Sequence, residues 1–137
     1  MNDDAGVREG ARRLVAAADS GELDNLCRLL GVRLLGLFGT AARDGAKEPN
    51  DLDVAVSFRG APDVLGLIDA LTRVSGCDRV DLALLDDAGP VLRAEALVGT
   101  PLYEDEPGAY AIAQMAALAE RRDTAWLRAL QLDLLAR

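Results

Sequence analysis

Two aspartates stand two residues apart in "NDLDVAVSF", residues 50–58, at the start of an otherwise apolar, strand-like run. Side chains alternate across a strand, so Asp51 and Asp53 share one face, about 7 Å apart along the chain. Leu52, Val54 and Val56 take the opposite face. Two carboxylates placed in this way repel each other unless a cation sits between them. Oxygen pairs at this separation suit Mg²⁺, which binds through one or two carboxylates together with substrate phosphates. Asp81 holds the matching place in the next apolar run, "RVDLALLD", residues 79–86. Three acids converging from neighbouring strands make a divalent-metal cradle, in which two ions can clamp a triphosphate and activate an attacking oxygen.

The complementary half of such a site lies upstream. Gly39-Thr40 follows the apolar run "VRLLGLF", residues 32–38, and precedes "AARD", which can open a short helix. A glycine lets backbone approach a phosphate, and a helix start offers free N–H groups and a positive dipole end. The Thr40 hydroxyl adds a donor, and Arg43 and Lys47 add positive charge. This is not a Walker A loop, because no G-x-x-x-x-G-K-[ST] is present. Each half has a plainer reading alone: a D-x-D pair as a polar strand end or edge protection, a glycine as a turn. The specificity lies in the combination: G-T, ten intervening residues, D-x-D, then a strand with a third aspartate.

Composition bounds what that site can do. The chain has 137 residues, half of them hydrophobic, with a formal net charge of −8. That length fits one domain over residues 1–137, with leading helices over 1–31, a sheet core carrying the site over 32–104, and a C-terminal helix over 105–137. Aromatic residues are 4%, so the core must be mostly Leu, Val and Ala. An acidic domain lacks the Lys and Arg surplus for direct nucleic-acid binding, whereas a nucleotide held through metal ions fits. There is no histidine, which removes imidazole bases, Ser-His-Asp triads and His-based zinc sites. Cys27 and Cys77 lie in apolar segments and read as small buried hydrophobes. No uncharged apolar run approaches the roughly 20 residues of a membrane span, and the N-terminus lacks a signal-peptide core, so a soluble, cytoplasmic protein is expected.

The elements that must position these residues follow from periodicity. "DAGVREGARRLVAAAD" predicts a first helix capped by Asp3 or Asp4, with Val7, Ala11, Leu14 and Val15 as its apolar stripe. "ELDNLCRLL" predicts a second, stopped by Gly31. Strands are expected over Val32–Phe38, Asp51–Phe58 and Arg79–Asp86, with a short extended segment at "PLYE". Between them, "APDVLGLIDALTRVSG" predicts a helix with Pro62 in its first turn, and "GPVLRAEALVG" a short one. From Pro107 onward one long helical stretch is expected. The run Glu104, Asp105, Glu106 at its start complements the helix dipole. The order predicts an α/β (α+β) fold, a small mixed sheet flanked by helices, placed on one side of it. Trp126 in the last helix suits buried core and an interface for a partner or a second copy (a homo-oligomer) equally well.

The G-T, x10, D-L-D arrangement resembles the G-S-x10-D-x-D signature of the polymerase-β-like nucleotidyltransferase superfamily. "VDLALL" and "LVGTPLYEDEP" resemble its minimal nucleotidyltransferase (MNT) branch, the antitoxin partners of HEPN ribonuclease toxins, over nearly the whole chain. The resemblance implies that Gly39 and Thr40 hold nucleotide phosphates, with Ala42 continuing the motif. It implies that Asp51 and Asp53 bind metal and that Asp81 binds metal and assists the attacking hydroxyl. Here Thr40 replaces the usual serine, and Asp44 stands where a glycine often closes the motif, with Gly45 one place later. Tyr103 matches a family tyrosine, although packing at the sheet edge accounts for it more simply. The implied function is an antitoxin that transfers AMP from Mg-ATP, with two Mg²⁺ ions, to a tyrosine hydroxyl of a cognate HEPN toxin. The alternative is a catalytically silent antitoxin acting by binding alone.

Overall fold

Alternation along Leu52–Phe58 builds the centre of the molecule. Leu52, Val54, Val56 and Phe58 are buried on one face, while Asp53, Ala55 and Ser57 take the other. The structure, a computed structural model, describes residues 6–39 and 50–136. Helices α1 (Val7–Ser20) and α2 (Glu22–Leu30) lead into strand β1 (Val32–Phe38). Strand β2 (Leu52–Phe58), helix α3 (Val64–Ser75) and strand β3 (Val80–Leu84) follow. Helix α4 (Pro90–Leu97), strand β4 (Thr100–Glu104) and helices α5 (Ala109–Asp123) and α6 (Ala125–Leu135) complete the order. A short 3-10 turn, Leu85–Asp87, links β3 to α4.

The four strands lie in the order β3-β2-β1-β4. β2 and β3 are parallel, joined by the α3 crossover, and β1 pairs antiparallel with both β2 and β4. The sheet is therefore mixed, as its sequence order predicts. Helices α1, α2 and α3 cover one face, where Val7, Leu14, Leu23, Leu35, Val54 and Leu71 form the main core. A one-sided layer is not what forms, however. The second face buries Leu34 and Ala55 beneath Ala94, Leu97, Tyr110 and Ala117 of α4 and α5. The sequence conceals this because small residues do the covering: alanines on α4 and α5 give little helical hydrophobic contrast.

Local chemistry sets several boundaries. Gly6, with no side-chain cap bond, precedes α1, and Asp3 and Asp4 lie outside the described residues. Pro62 stands before α3 rather than in its first turn, because Asp63 takes the cap position and its carboxylate accepts from the Gly66 N–H at 3.0 Å. At the start of α5 the Glu104 carboxylate accepts from the Tyr110 N–H at 3.0 Å. Asp105 pairs instead with Arg59 at 2.6 Å, tying the ends of β2 and β4 together. The C-terminal helical stretch is long but divides at Thr124, whose hydroxyl accepts from Arg128 at 2.7 Å and donates back to the Glu120 carbonyl. Both cysteines are buried and free, and burial pushes the Cys27 thiol up to about 12. Among the described residues no helix is long and apolar enough to cross a membrane.

Candidate active site

The parallel pairing of β2 with β3 sets Asp53 directly beside Asp81. The antiparallel pairing of β2 with β1 sets Asp53 opposite Phe38, the last residue of β1. Asp51 sits just before β2 begins. One carboxylate oxygen from each of Asp51, Asp53 and Asp81 lies within 4.8 Å of the other two. Asp53 is half-buried between two exposed acids. Burial raises its pKa above the ordinary carboxylate value, and the charges of Asp81 and then Asp51 push it further in the same direction. A carboxylate forced to share space with two others is stabilised in its charged form by a cation at their centre.

The donor set fits a hard divalent ion. All three candidate ligands are carboxylates, Asp53 and Asp81 come from adjacent strands and Asp51 from the residue before β2, and among the described residues no nitrogen or sulfur donor joins the cluster. Oxygens bound to one Mg²⁺ at about 2.1 Å lie no more than about 4.2 Å apart. Small side-chain rotations therefore suffice to bring this cluster onto an ion.

Gly39 forms the edge of the same site. Its φ is +72°, a region that favours glycine. A Cβ added there would overlap the Oδ2 of Asp53 and sit 3.2 Å from its Cγ. Both the turn and the close approach of backbone to carboxylate thus require glycine. Gly39→Ala is expected to cost about 1–2 kcal/mol of stability from the left-handed backbone. By displacing Asp53 it is also expected to weaken divalent-metal binding at the cluster, by roughly 10- to 100-fold. Denaturant unfolding and a Mg²⁺ titration on the same preparation check the two effects separately.

Beyond Gly39 a cleft of about 540 Å³ opens between the ends of β1 and β4 and helices α4 and α5, lined by Phe38, Gly39, Glu95, Val98, Thr100 and Arg121. The sequence carries no signal for Glu95, Val98 or Arg121 as site residues, since helix-borne groups meet a strand-end site only through tertiary packing. Of the residues expected at the site, the structure brings Gly39, Asp51, Asp53 and Asp81 together. Thr40, Ala42, Arg43, Asp44, Gly45 and Lys47 lie outside the described residues. Tyr103 packs into the main core.

No protein-family model matches the chain, and no curated protein matches it. Solved structures do. A minimal nucleotidyltransferase is 30% identical, covering 66% of this chain and 92% of its own, with a TM-score of 0.52. A toxin–antitoxin structure with AMP-PNP is 20% identical over 85% of this chain and 98% of its own, with a TM-score of 0.64. An MNT antitoxin in complex with a tri-AMPylated Shewanella oneidensis HEPN toxin is 20% identical over 85% and 96%, with a TM-score of 0.60. These last two share the fold. Fold and relatives together define a protein of the polymerase-β-like nucleotidyltransferase superfamily. Within it, the chain belongs to the minimal nucleotidyltransferase family.

Proposed function

We propose that this protein is the antitoxin of a toxin–antitoxin pair and transfers AMP from Mg-ATP to a tyrosine hydroxyl of a cognate HEPN toxin. The observation that carries the reading is the convergence of Asp51, Asp53 and Asp81 beside Gly39. Its support from relatives is a shared fold with an antitoxin bound to an AMPylated HEPN toxin and with a toxin–antitoxin structure holding AMP-PNP.

The line of residues across the strands suits an in-line displacement. The β1 end at Gly39, Asp53 on β2 and Asp81 on β3 follow one another across the sheet. In this reading the triphosphate lies on the Gly39 side, and Gly39 and Thr40, with Arg43 near them, hold its phosphates. The acceptor approaches from the exposed Asp81 side. Asp51, Asp53 and Asp81 would hold two Mg²⁺ ions, and the chemistry those ions would supply is neutralisation of phosphate charge. The tyrosine oxygen attacks the α-phosphorus, and the bond to the bridging α–β oxygen breaks. Pyrophosphate leaves with the bond electrons, and the hydroxyl proton passes to Asp81. With no histidine in the chain, a carboxylate is the available base at this position. The remaining rate gain comes from positioning and charge neutralisation.

A second reading, neutralisation by binding alone, draws on a different surface. Helix α6 buries none of its residues, and Trp126, Leu132 and Leu135 are exposed at 67%, 68% and 82%. Apolar surface of this extent on a helix suits a partner. One experiment separates the two: incubation with ATP, Mg²⁺ and the toxin encoded beside this protein, followed by mass spectrometry of the toxin. A gain of AMP mass that disappears with Asp51→Ala/Asp53→Ala supports transfer. Neutralisation by that variant with no mass gain in either case overturns it in favour of binding.

A further inference from the structure

The two edges of the sheet differ. The β4 edge is blunted: Pro101 removes a backbone donor, and the pairing of β4 with β1 breaks register between Leu35 and Gly36. The β3 edge carries neither device. It holds no proline or lysine, and its parallel register with β2 runs unbroken from Val80 to Leu84. Among the described residues β3 pairs with β2 alone. The Arg79 carbonyl accepts from the Leu52 N–H at 2.8 Å, and Leu52 lies opposite Val80. In a parallel ladder a residue bonds the two neighbours of the residue opposite it, so Asp81 and Ala83 turn their backbone groups to β2. Val80, Leu82 and Leu84 turn theirs outward, and among the described residues nothing else bonds them. Such a row is a template for a further strand.

Charge and place decide the occupant. Residues 78–87 hold four aspartates and one arginine. A second copy would bring the same charge, and antiparallel pairing of two β3 strands about Asp81 or Leu82 sets aspartate against aspartate. A basic segment is attracted instead. The place is the candidate site itself, because Asp81 lies on this strand and belongs to the carboxylate cluster. On an antiparallel neighbour, the residue opposite Asp81 falls in a non-hydrogen-bonded pair, where side chains of one face stand closest. Neighbouring strands lie about 4.8 Å apart, so a serine oxygen at that position stays near its own strand, whereas a tyrosine ring spans the gap toward the cluster.

We propose that the β3 edge docks an extended, basic segment of the acceptor protein as a fifth strand, with the acceptor tyrosine opposite Asp81. The inference rests on the nucleotidyl-transfer reading and names the surface that holds the acceptor. Main-chain hydrogen bonds at Val80, Leu82 and Leu84 supply affinity whatever side chains the segment carries. The aspartates at the two ends of the strand, Asp78 with Asp86 and Asp87, select its charge. The register brings one side chain to Asp81, which singles out one tyrosine among others on the same segment.

Amide hydrogen exchange of the full chain, alone and with the toxin encoded beside it, tests this without ATP. The Val80, Leu82 and Leu84 amides are expected to exchange about tenfold or more slowly in the complex, whereas Asp81 and Ala83, already bonded to β2, are protected in both states. Leu82→Pro removes an outward N–H and spares the β2 ladder, and Leu82→Ala loses the same packing but keeps the N–H. The proline variant is expected to bind the toxin about tenfold or more weakly than the alanine variant. Asp78→Lys/Asp87→Lys is expected to weaken binding at low salt, with the difference shrinking at high salt. Unchanged exchange at the three amides in a formed complex overturns the inference, and so does equal affinity of Leu82→Pro and Leu82→Ala. Those outcomes leave the transfer reading to its own mass-gain test. Protection of the three amides with no AMP gain removes the transfer reading and keeps the docked strand as a means of binding alone. A chain that forms no complex with the toxin overturns both.

Discussion

Asp51→Asn/Asp53→Asn is expected to abolish nucleotidyl transfer, by on the order of 10³-fold or more, while leaving the metal-free protein as stable as wild type or more stable. The two effects have one origin. In the absence of a cation, three carboxylates within 4.8 Å of one another repel, and Asp53 also loses hydration by burial. Asparagine keeps the shape and removes that repulsion, so folding does not suffer. The same change removes the negative charge that holds metal, so the phosphates lose their counter-charge and the reaction its electrostatic stabilisation. Thermal melts with and without Mg²⁺ give the comparison. The wild type is expected to gain stability with added Mg²⁺ and the double variant to gain none, since only a folded site that binds the ion is stabilised by it. Loss of folding in the metal-free variant, or an unchanged transfer rate, is the contrary result.

The pH dependence of that comparison has a definite sign. Asp53 has a raised pKa in the folded protein, so between its unfolded and folded values the native state binds more protons than the unfolded one. Stability then falls as pH rises through that window. The contribution of Asp53 is most favourable in acid, where the group is protonated in both states, and turns unfavourable once it ionises. The stability advantage of Asp53→Asn over wild type is therefore expected to be largest at neutral pH and to vanish below the carboxylate range. Mg²⁺ runs the other way: its affinity for the wild type falls with acidification, because the proton and the metal compete for the same oxygens.

The strands and most helices of this fold are legible in the sequence because they bury large apolar residues at regular spacing. Val32–Phe38 reads as a covered strand because it is one, with helices on one face and α4 and α5 on the other. The D-x-D spacing reads as a shared face because strand alternation is nearly invariant; the register sets Asp81 beside Asp53, and one carboxylate oxygen of each of the three acids lies within 4.8 Å of the others. Their role in binding metal is a matter for the substitutions above. What the sequence hides has a common cause. The second helical layer is built largely from alanines around Leu97 and Tyr110, which leave little periodic trace, and the cleft residues Glu95, Val98 and Arg121 come from α4, its C-cap and α5, which meet only in the folded chain. The break at Thr124 is equally silent, since threonine is tolerated in helices and ends this one by bonding backward with its hydroxyl. Trp126 suited core and interface alike from sequence. In the structure it stands 67% exposed, on a helix with no buried residue.

Gly36→Ala is expected to destabilise the fold by about 2–3 kcal/mol, a large share of the stability of a domain this size. The glycine stands in the middle of β1, where a side chain would ordinarily strengthen a strand. Here the phenol end of Tyr110, on α5, lies against it. A Cβ at Gly36 would overlap the phenolic oxygen and approach the ring carbons Cζ at 2.8 Å and Cε2 at 3.1 Å. The ring cannot move aside cheaply, because Tyr110 is 3% exposed and anchors the core that joins α4 and α5 to the sheet. Its hydroxyl is buried with no hydrogen-bond partner among the described residues, and burial pushes its pKa up to about 12. An unsatisfied buried hydroxyl costs about 1–3 kcal/mol, so Tyr110→Phe alone is expected to be neutral or stabilising. In the Gly36→Ala background, Tyr110→Phe removes the worst overlap but not the ring contacts, so partial rescue is expected, and the two changes will not add. The alkaline limb supplies an independent reading. A raised phenol pKa means that the native state holds its proton longer, so wild-type stability falls as pH rises from about 10 through about 12. Tyr110→Phe should lose that component, and denaturant midpoints across this range measure it. If Gly36→Ala were tolerated without loss, α5 would have to sit farther from β1, and the cleft bounded by Arg121 would widen with it.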